Sequence, residues 1–138
     1  MKFYKTLFFI FIFLTCSVKA DLNNNLINEL KQGGKLIFIR HAYAPGNGDP
    51  QNFNLYDCST QRNLSENGRE QSKKIGNLFL KNKIDIKNVY SSEWCRCKET
   101  ASIAFKNFKT KKFLNSFYSS QFAKNRKKQV KEFQEFIN

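Results

Sequence analysis

Residues 35–50 read KLIFIRHAYAPGNGDP, and both the fold and the chemistry of the chain turn on them. The uninterrupted apolar run Leu36-Ile37-Phe38-Ile39 breaks at once into Arg40-His41 and then into a loop bent by Pro45, Gly46, Gly48 and Pro50. A short apolar run rich in β-branched and aromatic residues predicts a buried strand of a parallel sheet. Open α/β sheets bind ligands beyond the carboxyl ends of their strands, which is where Arg40 and His41 fall. His41 is the single histidine of the chain, so any imidazole chemistry must use it.

Working outward, residues 22–31 carry Leu22, Leu26, Ile27 and Leu30 at the spacing of one helix face, and Gly33-Gly34 stops them. The loop after the strand, residues 42–63, is long enough that a functional role is expected of it. Its Gly, Asn and Asp content suits turns that aim backbone N–H groups at an anion. Ser65 reads as an N-cap with Glu66 in the first turn, opening an amphipathic helix over residues 66–81. Ile84, Ile86 and Val89-Tyr90 predict a second strand ending at Ser91-Ser92. A right-handed βαβ unit would put its carboxyl end on the Arg40-His41 edge. The next helix, capped by Ser91 or Ser92, would then turn its N-terminus and Arg96 toward that edge, an arrangement suited to phosphate. Residues 112–114 predict a further strand. Residues 121–138 predict a charged helix burying Phe122, Val130, Phe133 and Ile137.

The first 20 residues have the form of a secretory signal peptide: Lys2 and Lys5, an apolar run over 7–14, and Val18-Lys19-Ala20 before a cut. A lipoprotein site at Cys16 fits less well, and an uncleaved anchor is the other alternative. The expected location is periplasmic or secreted, without a membrane attachment once the signal is cut. The domain is expected over residues 21–138. The net charge of +13 becomes +10 without Lys2, Lys5 and Lys19, a balance that attracts phosphorylated ligands, nucleic acid or anionic lipid. The lysines are scattered among Asn, Ile and Phe and form no compact stripe interleaved with aromatics, which argues against a nucleic-acid partner. In an oxidising compartment Cys58 is expected to pair with Cys95 or Cys97, leaving one thiol over. The Cys95-x-Cys97 spacing is too tight for the usual zinc pair, so no metal is expected.

Three segments together resemble the histidine phosphatase superfamily, also called phosphoglycerate mutase-like. They are Arg40-His41-Ala42 after an apolar strand, the run 63–71 (NLSENGREQ), and the run 91–101 (SSEWCRCKETA). The resemblance implies an α/β fold, three layers α/β/α around a mostly parallel sheet. It also implies a phosphomonoester hydrolase acting on a small phosphorylated substrate with no cofactor. His41 would be the nucleophile that carries a phosphohistidine, and Arg40 and Arg96 would clamp the phosphoryl oxygens. Arg62 is a further candidate substrate contact, against the alternative of a solvated loop arginine. Glu93 is a candidate for substrate contact or proton donation, against a role at the helix dipole, and Asp49 and Asp57 are the other candidate donors. The chain departs from the family pattern at Ala42, where glycine is usual, and in lacking a second histidine on a late strand. It also ends inside a helical pattern, so the expectation is a C-terminally incomplete domain missing its last central strand. The alternative function is therefore a catalytically impaired phosphate-binding module or truncated pseudo-phosphatase.

Overall fold

A computed structural model describes residues 24–138; the expected signal peptide lies outside the described residues. Helix α1 (Asn24–Lys31) comes first, and a 3-10 turn (Cys58–Thr60) punctuates the long loop that follows. Then come α2 (Glu66–Lys81), β1 (Tyr90–Ser91), α3 (Cys95–Phe105) and β2 (Lys109–Thr110). A second 3-10 turn (Lys112–Leu114), α4 (Ser120–Ala123) and α5 (Arg126–Ile137) complete the chain. No helix among the described residues is long and apolar enough to cross a membrane.

Local signals place α2 where expected. The Ser65 hydroxyl accepts from the Gly68 N–H at 3.2 Å, and Glu66 occupies the first turn. One face of α2 carries Gly68, Ser72, Gly76 and Phe79, all buried. The small residues let α3 lie close: a Cβ on Gly76 would run into the carbonyl oxygen of Ala104. Phe79 meets the edge of Phe105 with ring centres 5.3 Å apart and joins Ile27 and Ile84 in the main apolar cluster. Gly76→Ala is accordingly expected to lower unfolding free energy by about 2 kcal/mol, because the added methyl meets backbone that cannot rotate aside. Asn77→Ala on the exposed face serves as the control, and urea midpoints check the pair.

The sheet is small. Strands β1 and β2 run parallel in the register Tyr90↔Lys109 and Ser91↔Thr110, as an α/β unit with α3 as its crossover requires. The expected first strand, residues 36–39, has no ladder partner among the described residues, and Leu36 and Phe38 are 62% and 72% exposed. An apolar run is buried on both faces only when strands flank it and helices cover them, and here Phe38 meets the ring of Phe133 edge-on at 5.8 Å while remaining largely exposed. The sheet expected over residues 84–90 contracts to its last part: Ile84 instead packs into the apolar cluster and Ile86 lies against it. The third strand forms at Lys109–Thr110, not at 112–114, because Lys109 N–H and Lys111 N–H donate to Val89 and Ser91 carbonyls at 2.9 and 2.8 Å. The single C-terminal helix expected over 121–138 is two, α4 and α5, and Val130 and Ile137 are exposed. Gln129 is the buried residue of α5, its Nε2 donating to the Lys112 and Asn115 carbonyls, both at 3.0 Å.

Candidate active site

The segment holding His41 is fixed by its neighbours' backbone. Ala42 N–H donates to Thr100 Oγ1 at 3.0 Å, Tyr43 N–H to Gln71 Oε1 at 2.9 Å, and Ser65 N–H to the Tyr43 carbonyl at 3.2 Å. A Cβ on Gly68 would collide with that same carbonyl, so the first turn of α2 can seat the segment only with glycine there. Ala42, Ala44 and Leu64 form a small buried cluster beneath. His41 itself is half-buried, and its Nδ1 lies 2.8 Å from the Ala42 carbonyl oxygen. The Nδ1–H donates there, which leaves the lone pair on Nε2. The His41 pKa is lowered from 6.5, chiefly by burial, against the Ala42 hydrogen bond and with help from the charges of Arg96, Arg62 and Arg40.

Arg96, in the first turn of α3, is only 6% exposed. Its Nη1 and Nη2 donate to Asp49 Oδ1 and Oδ2 at 2.6 and 3.2 Å, and Nη1 also reaches the Arg62 carbonyl at 3.3 Å. The buried Nε has no hydrogen-bond partner among the described residues. Asp49 further accepts from Trp94 Nε1–H at 3.0 Å and from Arg62 N–H at 3.1 Å, so four donors surround one carboxylate. Burial pushes the Asp49 pKa up, but the hydrogen bonds from Arg96, Trp94 and Arg62 outweigh it and hold the carboxyl below its ordinary value. Arg62 staples the loop: its Nε donates to the Gly48 carbonyl at 2.8 Å and its Nη1 to the Ala44 carbonyl. Gly48 turns that carbonyl inward at a φ of +68°, a conformation open to glycine.

These side chains open on one cleft of about 780 Å³ lined by Arg40, His41, Asn47, Asp49, Arg62 and Arg96, and also by Phe53, Trp94 and Phe122. The structure thus brings together four of the five expected site residues. Glu93 stands apart, since its Oε2 accepts from Asn115 Nδ2–H at 2.7 Å and it does not line the cleft. Asp57 caps the Cys58–Thr60 turn through Ser59 N–H and is likewise absent from the lining. The helix cap differs from expectation too. Neither Ser91 nor Ser92 is the N-cap of α3; Trp94 is, and Gln61 Oε1 accepts from Cys95 N–H at 2.9 Å in place of a local cap. Cys58 pairs with Cys95, which pins the loop to the first residue of α3 beside Arg96. Cys97 is free and faces the cleft, and burial raises its pKa, so it is held as an inert thiol. Among the described residues no group of acidic, histidine and cysteine side chains is arranged to hold a metal.

Sequence reasoning missed the partners of these groups. Asp49 figured as a proton donor, yet it is the counter-ion of Arg96, and Gln61 carried no signal at all. A lone Asp between Gly48 and Pro50, in a loop otherwise poor in acids, was the available hint for the first.

A helical α/β domain with a small parallel sheet brings one histidine and three guanidinium groups into a single cleft, a charge balance suited to an anion. The chain belongs to the histidine phosphatase superfamily, branch 1, whose sequence model matches residues 36–116. No curated protein and no solved structure matches the chain.

Proposed function

We propose that the protein is a phosphomonoester hydrolase that forms a phosphohistidine at His41. The observation that carries this reading is the imidazole itself: Nδ1 is engaged by the Ala42 carbonyl, Nε2 is left as the nucleophile, and Arg40, Arg62 and Arg96 all act on it electrostatically. A neutral imidazole attacks phosphorus, and the guanidinium charges offset the repulsion of the phosphoryl oxygens and the charge that builds in the transition state. Arg96 and Arg40 are the phosphoryl clamp. Arg62 supports it by holding the loop, and the residue is itself part of the cleft lining. The Cys58–Cys95 disulfide supports an exported protein, in the periplasm or outside the cell.

A second reading, a phosphate-binding module that does not turn over, is favoured by one observation. The Asp49 carboxylate occupies both Nη atoms of Arg96, so a phosphoryl group must share or displace a resident anion. Incubation with phosphoramidate and intact-mass analysis separates the two. A phosphoryl adduct that maps to His41, survives base and is lost in acid supports the hydrolase. Binding without any adduct supports the module.

A further inference from the structure

The cleft is walled by two unlike sets of side chains. In the same lining as the guanidinium groups, Phe53 stacks on Trp94 with ring centres 5.2 Å apart and planes 22° from parallel. Phe122 stands edge-on to both, 5.6 Å from Phe53 and 5.4 Å from Trp94. Tyr118, 91% exposed, lines the rim of the same cleft. The two sets meet at Asp49, which takes the Trp94 indole N–H on one oxygen and Arg96 on both. A phosphoryl group at the arginines therefore has an aromatic surface within the reach of whatever is esterified to it.

The proton inventory points the same way. Among the described residues Asp49 is the one carboxylic acid lining the cleft, and its four donors leave it an acceptor with no proton to give. Glu93 is turned to Asn115, and the chain has no histidine besides the nucleophile. An aliphatic alcohol is a poor leaving group without a proton donor, whereas a phenol departs as a stabilised phenolate.

From these two observations, and resting on the hydrolase reading above, we infer that the site selects phosphomonoesters of phenols, with the aryl ring against Phe53, Phe122 and Tyr118. The His41 Nε2 lone pair attacks phosphorus, the bond from phosphorus to the phenolic oxygen breaks, and its electron pair leaves on the phenolate, which takes a proton from solvent. Water then attacks the phosphohistidine, the P–N bond breaks with its pair returning to Nε2, and inorganic phosphate leaves, the proton of the water passing to solvent.

The test compares phenyl phosphate with glycerol 3-phosphate on the 138-residue chain, Tyr118→Ala and Phe122→Leu. It adds a series of ring-substituted phenyl phosphates, and calorimetric binding of phenylphosphonate and methylphosphonate. The expected kcat/KM favours phenyl phosphate by about 100-fold, and that ratio falls about tenfold in Phe122→Leu and less in Tyr118→Ala. Tyr118 is so exposed that its variant puts no fold at risk. Across the series kcat/KM should drop steeply as the leaving phenol becomes more basic, the mark of departure without a proton donor. Phenylphosphonate should bind about tenfold tighter than methylphosphonate. Equal phosphonate affinities, an unchanged ratio in both variants, or a flat series would overturn the selectivity and leave the hydrolase standing. No turnover of any ester with no binding of either phosphonate would overturn the hydrolase and the selectivity with it.

Discussion

His41→Ala is expected to lower kcat/KM for phosphomonoesters by about 10⁴-fold or more, because it removes the nucleophile and no second imidazole exists to replace it. The fold should be nearly indifferent, with a stability change within about 0.5 kcal/mol, since His41 is half-buried and, among the described residues, its ring bonds only to the adjacent Ala42 carbonyl. Activity and urea midpoint measured on the same preparation separate the two effects. The pH dependence has a definite sign. Burial first, then the charges of Arg96, Arg62 and Arg40, disfavour the imidazolium, and the Ala42 bond only partly opposes them, so His41 protonates below the ordinary 6.5. The nucleophile is then in its reactive form at neutral pH, and activity is lost only as the pH falls through that lowered value. A single histidine gives a single Cε1–H resonance, so an NMR titration reads the value without interference from the ionisation of a substrate. A midpoint at or above 6.5 would contradict the electrostatic picture of the cleft.

What could be read from the chain in advance follows the range of the forces involved. Ser65, Glu66 and the spacing of Ile75, Leu78 and Phe79 are local, and α2 spans the residues they indicate. The motif 91–101 carries Arg96 into the first turn of α3, because the turn of a helix follows a short strand by geometry alone. Residues 36–39 show the opposite case. Their composition reports a tendency to be buried, but burial in a sheet is conferred by other strands, and composition carries no information on whether those are present. The same holds for the ion pair of Asp49 with Arg96, 47 residues apart, and for Gln61 reaching the N–H of Cys95 across 34. Each depends on where a long loop is laid down, and that loop is positioned by non-periodic contacts, the bonds of Arg62 and Asn63 back to its own carbonyls and the disulfide to α3, which no hydrophobic spacing announces. The cysteines were ambiguous for a related reason. Cys95 and Cys97 are two apart on one helix and so face different ways, and only the path of the loop decides that Cys58 meets the first.

The disulfide therefore carries a large share of what holds the site together. Cys58→Ser with Cys95→Ser is expected to lower unfolding free energy by about 4 kcal/mol, since the cross-link closes a loop with a sequence separation of 37 and its removal frees that loop in the unfolded chain. For a domain whose whole stability lies in the range of about 5–15 kcal/mol, that is a major fraction. The main apolar cluster is small, three buried residues with four partly buried ones against it, and has little in reserve to offset the loss. The loss should also reach the chemistry. Cys58 and Cys95 bracket the contacts that set the cleft: Asn63 Nδ2–H to the Cys58 carbonyl, Gln61 to Cys95 N–H, and Arg62 to Asp49, which in turn holds Arg96. Reduction should accordingly depress phosphate affinity before the helices melt, because the loop is tied to α3 mainly through these polar contacts while α2 and α3 stay packed through Gly76 and Phe79. Phosphate binding and far-ultraviolet circular dichroism followed together along a dithiothreitol titration check the order. If both are lost in one step, the disulfide supports the whole domain as one unit; if binding survives full reduction, the loop is held by its hydrogen bonds alone.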